Sequence, residues 1–195
     1  MRTDSIEIGQ GPVRLRITNN NNLVEMRVDY EKAETPSKAY YADYADVIPG
    51  RCGISLVFGK LKPGSEELRN KVEIVFSTDA FIRQLSKNCR DVLASVKVEF
   101  DKHPLAPVHP QDTEIAQAFK ASAVMMVGMG EEAVMDFYYI APSDIHFAFA
   151  KKRPEVHLEP VIRIVLSGSL LFEVLDKSRI VAEKLPEYVR IMEEE

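Results

Sequence analysis

The chain of 195 residues has no tryptophan and only two cysteines, four histidines and nine glycines. Cys52 and Cys89 do not form a C-x-x-C pair, which argues against a thiol–disulfide motif or a cysteine-stapled scaffold. A reduced, cytoplasmic protein is the expectation. His103 and His109 fall in a proline-rich stretch and His146 and His157 stand apart, so no metal-ligand spacing emerges. No run approaches the roughly 20 apolar residues of a membrane span. The start, Met1-Arg-Thr-Asp-Ser-Ile-Glu-Ile, lacks the basic-then-apolar pattern of a signal peptide. A Walker A loop, H-E-x-x-H and G-x-S-x-G are all missing. Gly128-Met-Gly130 precedes Glu131-Glu132 and an expected strand rather than a helix, so it reads as a hairpin turn and not a phosphate loop. Positive charge is in deficit, with Lys+Arg 25 against Asp+Glu 30 for a net charge of -5. No enzyme, cofactor, metal, membrane or small-molecule substrate is expected.

What is present suits a soluble globular protein, at 46% hydrophobic and 28% charged residues. Pro104, Pro107 and Pro110 mark residues 101–112 as a semi-rigid linker, because each removes a backbone donor and biases its predecessor toward extended geometry. The expected division is 1–100, the linker 101–112, and 113–195. The first hundred residues carry 15 basic and 14 acidic groups and the remainder 10 and 16, so the surplus acidity lies in the second half.

The two halves resemble each other. Val72 to Asn88 lies over Ile162 to Ser178 without gaps, with Ile74/Ile164, Val75/Val165, Ser77/Ser167, Leu85/Leu175 and Lys87/Lys177 identical. Upstream, Asp43-Tyr44…Ile48-Pro49 lies over Asp136-Phe137…Ala141-Pro142, and Ile54 to Pro63 over Ile145 to Pro154. In the first half, alternation predicts strands over Val13–Thr18, Val24–Val28, Tyr40–Ile48, Ile54–Phe58 and Val72–Phe76. Asn19 to Asn22 supply a turn. Ser77, Thr78 and Asp79 offer cap oxygens for a helix over about 79–96 with Phe81, Leu85, Cys89, Val92 and Val96 on one face. The second half predicts strands over Ala121–Val127, Ala133–Ile140, Ile145–Ala150 and Val161–Leu166. A helix capped by Ser167 or Ser169 follows, ended or kinked at Pro186. The expectation is therefore an α+β pseudo-dimer of two tandem repeats, each an antiparallel sheet of about four strands followed by one long helix.

The run from Tyr41-Ala-Asp-Tyr through Ile54-Ser-Leu-Val-Phe-Gly-Lys-Leu61 to Val72-Glu-Ile-Val-Phe-Ser-Thr-Asp-Ala-Phe81 resembles the bacterial domain of unknown function family 3467. That family shows a Tyr-Ala-(Asn/Asp) strand, a Phe-Gly step and a strand-Ser-helix ending. The second half departs from it, with Ala150 where the Phe-Gly step has Gly59. The resemblance implies no established activity. In topology alone, the strands-then-helix order is also similar to the transcriptional-coactivator and Whirly fold, which binds single strands on a curved sheet, and to SecB-like export chaperones.

Two features point to a binding surface. Lys60, Lys62, Arg69 and Lys71 in one half and Lys151, Lys152 and Arg153 in the other are basic segments, suited to phosphates or an acidic partner, or simply to guarding a sheet edge. Tyr40, Tyr41 and Tyr44 lie over Phe137, Tyr138 and Tyr139; such aromatics stack bases, pack a sheet on its helix, or line a subunit contact. Arg14 and Arg16 alternate along one strand and share a face. The leading expectation is a non-enzymatic binding or assembly subunit that works through a protein partner or self-association. The alternative is single-stranded nucleic-acid binding by Arg14, Arg16, Tyr41, Tyr44, Lys60, Lys62, Tyr138, Lys151, Lys152 and Arg153.

Overall fold

Alternating apolar residues build two four-stranded sheets that face each other across one core. The structure, a computed structural model, describes residues 5–8, 12–18, 23–50, 53–65, 67–86, 115–129, 131–151 and 156–193. A small antiparallel sheet comes first: β1 (Ser5–Ile8), β2 (Val13–Thr18) and β3 (Leu23–Val28). The chain then forms β4 (Ala39–Tyr41), β5 (Tyr44–Gly50), β6 (Gly53–Leu61), β7 (Leu68–Phe76) and a short helix, α1 (Thr78–Phe81). Later come β8 (Ile115–Ala121), β9 (Ala123–Met129), β10 (Glu132–Tyr139), α2 (Pro142–Lys151), β11 (Glu159–Ser167) and α3 (Gly168–Glu193). One large sheet has the order β5-β6-β7-β8 and the other β4-β11-β10-β9.

Since side chains alternate across a strand, Ile54, Leu56, Phe58, Val72, Ile74 and Phe76 of the first sheet meet Met135, Phe137, Ile162 and Ile164 of the second. The Phe137 ring sits edge-on to Phe58 at 6.0 Å and to Phe76 at 5.9 Å, a favoured aromatic geometry. A second, smaller core joins the N-terminal sheet to the outer side of β10, where Val13 and Tyr138 are buried with Ile140, Val156 and Leu158.

The two large sheets are stitched together at corners where the chain switches from one sheet to the other. The Ala42 amide donates to the Val165 carbonyl at 2.8 Å, and the next amide, Asp43, donates to Gly59 in the other sheet at 2.9 Å. At the second corner Ala121 lies opposite Phe76 and Ala123 opposite Tyr138. Each sheet thus takes its fourth, parallel strand from the other half of the chain: β4 joins β11, and β8 joins β7. β6 shifts register against β7 between Phe58 and Lys60, and a Cβ on Gly59, between them, would come 3.1 Å from Leu68 Cδ2.

This topology corrects the sequence reading. The fold is α+β, but it is not two sheet-plus-helix repeats forming a pseudo-dimer, because the strands are exchanged between halves and α3 is the one long helix among the described residues. The expected strand Ile145–Ala150 is α2, so the proposed match of 54–63 with 145–154 sets a strand against a helix. Pro142 at the first helical position and Asp144 in the first turn favour that helix, and they outweigh the strand-like alternation of Ile145, Phe147 and Phe149. The expected strand Tyr40–Ile48 is broken at the corner into β4 and β5. The helix expected over 79–96 is α1 followed by a π-helical turn, Ile82–Ser86. Its remainder, the linker 101–112, both cysteines, His103 and His109 lie outside the described residues.

The caps are as read: Ser77 Oγ accepts from the Ala80 amide at 3.3 Å and Ser167 Oγ from Leu170 at 3.2 Å. Strands β9 and β10 pair antiparallel, with Met129 opposite Glu132, while Gly130 lies outside the described residues. Helix α3 runs on past Pro186 and buries Leu170, Leu171, Val174, Leu175, Val181 and Leu185 in the main core.

Candidate functional site

Where the chain crosses from one sheet to the other, β4 brings two tyrosines beside the hairpin of β6 and β7. Tyr41 is 60% exposed. The Lys60 ammonium lies 5.5 Å from the Tyr41 ring centre and 5.9 Å from that of Tyr40, within cation–π range. The Tyr40 hydroxyl donates to the Asn70 carbonyl at 2.7 Å, which fastens β4 to the start of β7. Asn70 has φ 47, a left-handed conformation that Asn tolerates better than most residues. Lys60 stands directly opposite Arg69, and both are exposed. Further along the crossing, Lys38 sits 5.6 Å over the Phe119 ring of β8. The crossing and the edge strand β8 therefore adjoin.

Of the residues singled out in the sequence, Tyr41 and Lys60 are brought together. The other tyrosines and Lys62 are held in structural contacts. Tyr138 is 1% exposed and packs against Tyr30 at 5.7 Å between ring centres. Lys62 is paired with Glu67 at 3.1 Å. Tyr44 has the Lys177 ammonium over its ring at 5.8 Å. That same ammonium donates to the Ala45 carbonyl at 3.0 Å and pairs with Asp46 at 3.3 Å and Glu173 at 2.8 Å, so α3 guards the free edge of β5. Tyr41 and Tyr138 do not share a platform: Tyr41 pairs with Val165 of β11, while Tyr138 pairs with Pro160 near that strand's start. Arg14 and Arg16 lie on β2, in the separate N-terminal sheet, and Lys151 ends α2. Lys152 and Arg153 lie outside the described residues. His146 is on α2, within the segment expected as the strand Ile145–Ala150.

The sequence reading missed the buried ion pair of Asp136 and Arg163. Arg163 donates from Nε and Nη2 to the two oxygens of Asp136, each at 2.7 Å. Asp136 is fully buried and the Arg163 side chain 32% exposed. The hydrogen bonds to Asp136 hold the Arg163 pKa above its ordinary value. A lone acid inside the apolar run Ala133 to Ile140, and a lone arginine inside Val161 to Leu166, were the available signals.

Tyr44 gives a pH prediction. Burial, then the Asp46 charge and its hydrogen bond, and Glu173 push its hydroxyl up to about 12. Burial also raises Tyr30, Tyr40 and Tyr138. A raised tyrosine keeps its proton in the folded state while the unfolded chain loses it near the ordinary value of about 10. Its stabilising contribution is therefore whole below about pH 10 and is lost as pH rises toward about 12. Urea unfolding at about pH 9 and about pH 11 checks this. Stability is expected to fall between them, and Tyr44→Phe to reduce the fall; an unchanged slope in the variant contradicts the assignment.

A groove of about 470 Å³ is lined by Pro12, Lys32, Glu34, Asp144 of α2, and Val156, His157 and Leu158 ahead of β11. Its charges are mixed, and Lys32 is engaged by Asp29 at 3.1 Å. Among the described residues no group of three or more histidine, cysteine or carboxylate side chains could hold a metal ion. None of the described helices is long and apolar enough to cross a membrane. No family model, curated protein or solved structure matches the chain.

Proposed function

We propose that the chain is a non-enzymatic binding or assembly module that acts through protein–protein contacts, with the β8 edge and the adjoining β4 crossing as its surface. The observation that supports this reading is the exposure of β8. It pairs with β7 on one side, and no strand pairs with its other side among the described residues. Ile115, Gln117, Ala118 and Lys120 are all exposed. Such an edge presents backbone donors and acceptors that a strand from another chain can complete. Stacking of bases is less well served: of the candidate aromatics, Tyr138 is buried, and Tyr41 and Tyr44 each have a lysine over one ring face.

Light scattering across a hundredfold concentration range, followed by affinity capture and identification of bound protein, tests the proposal. Self-association or an identified protein partner is expected. Ala118→Lys, which places a charge on the edge, should abolish the association without lowering the melting temperature. A chain that stays monomeric and recovers no partner contradicts the reading.

A further inference from the structure

We infer that Lys60 and Arg69, backed by Tyr40 and Tyr41, bind an acidic segment of a partner polypeptide; this rests on the protein-contact reading and adds the partner's chemistry. The two cations are direct cross-strand neighbours on β6 and β7. Like charges placed opposite each other on an antiparallel pair destabilise the sheet, so the arrangement serves stability poorly. Among the described residues no carboxylate pairs with Lys60 or Arg69, and Glu67 of the same hairpin is already held by Lys62 at 3.1 Å. The tyrosines position the Lys60 ammonium without cancelling its charge, at 5.5 and 5.9 Å from their ring centres. The bond from Tyr40 to the Asn70 carbonyl at 2.7 Å fixes the backbone beside Arg69. A carboxylate completes such a site: it takes the arginine fork in a bidentate fashion and accepts from the ammonium as well.

A polypeptide fits better than a nucleic acid. Lys60 occupies one face of the Tyr41 ring, and the net charge of -5 opposes a long polyanion. Two adjacent cations match one or two side-chain carboxylates rather than a phosphate backbone.

The full chain would be titrated, by fluorescence anisotropy, into three labelled probes of equal length: alternating Glu and Val, alternating Gln and Val, and oligo-dT. The Glu peptide should bind at least about tenfold more tightly than the other two and weaken as salt rises. Lys60→Glu with Arg69→Glu should cost at least about tenfold in Glu-peptide affinity, and Lys60→Arg should retain it. The neutral pair Lys60→Gln and Arg69→Gln should lose binding while its melting temperature stays level or rises, because a repulsion has been removed; a purely structural role would lower it. Equal binding of the Glu and Gln peptides, wild-type affinity in the neutral pair, or tighter binding of oligo-dT would overturn the inference. Association of the full chain that persists in the neutral pair would overturn this site and leave the protein-contact reading standing.

Discussion

Arg163→Ala is expected to cost about 3–5 kcal/mol of stability, because it strands a carboxylate that has no access to water. Asp136 is fully buried, and both of its oxygens are met by Arg163 at 2.7 Å. The reverse change, Asp136→Asn, should cost less, about 1–3 kcal/mol, since Arg163 is 32% exposed and can turn toward solvent. Replacing both partners with apolar residues, as in Asp136→Leu with Arg163→Met, should cost less than Arg163→Ala alone, because neither charge is then left behind. Urea unfolding of the two single variants and the double variant reads all three values. An Arg163→Ala loss no larger than that of Asp136→Asn would mean that burial of the carboxylate does not govern the pair.

Gly53→Ala is the second large effect. Gly53 lies opposite Gly50 where β6 begins, with φ 140, and a Cβ there would stand 1.9 Å from the Phe76 carbonyl oxygen. The conformation alone costs a residue with a side chain about 1–3 kcal/mol, and the contact requires β7 to move as well. Two other glycines separate these contributions. Gly64 has φ 74 but open space around it, so Gly64→Ala should show the backbone cost alone, about 1–2 kcal/mol. A Cβ on Gly50 would meet the Gly53 carbonyl oxygen at an ordinary 3.5 Å, so Gly50→Ala should change stability by less than about 0.5 kcal/mol. Chemical denaturation of the three variants should rank them Gly53, Gly64, Gly50; a Gly53→Ala chain as stable as Gly50→Ala would contradict the contact.

The central strands were legible because their alternation is local: Ile54, Leu56, Phe58 and Ile162, Ile164, Leu166 show period two in sequence and line the core. The caps at Ser77 and Ser167 were legible for the same reason. What escaped was set by distant partners. Nothing local in Tyr40 to Ile48 says that Ala42 bonds Val165 while Asp43 bonds Gly59, so one expected strand is two. The strand β8 joins a sheet built by residues far earlier in the chain, and α2 carries a strand-like alternation that its proline start overrides. The same limit applies to the surface. Residue type and position mark Tyr41, Lys60, Lys62 and Tyr138 alike; that Tyr138 is buried and Lys62 paired depends on Tyr30 and Glu67 arriving from another segment or the far arm of a hairpin.

The reciprocal exchange of β4 and β8 sets an order of assembly during synthesis. The segment that will become β4 leaves the ribosome before β5 to β8, but its strand partner, β11, is made after all of them. The sheet of β5 to β8 can close as soon as β8 emerges, whereas β4 must wait beside it with one ladder unmade. Parallel pairing over so long a loop is slow and leaves an unpaired strand exposed in the interval. Completion of these sheets is thereby tied to the arrival of residues 159–193, which bring β11 to β4 and, immediately after it, the helix α3 that seals the edge of β5.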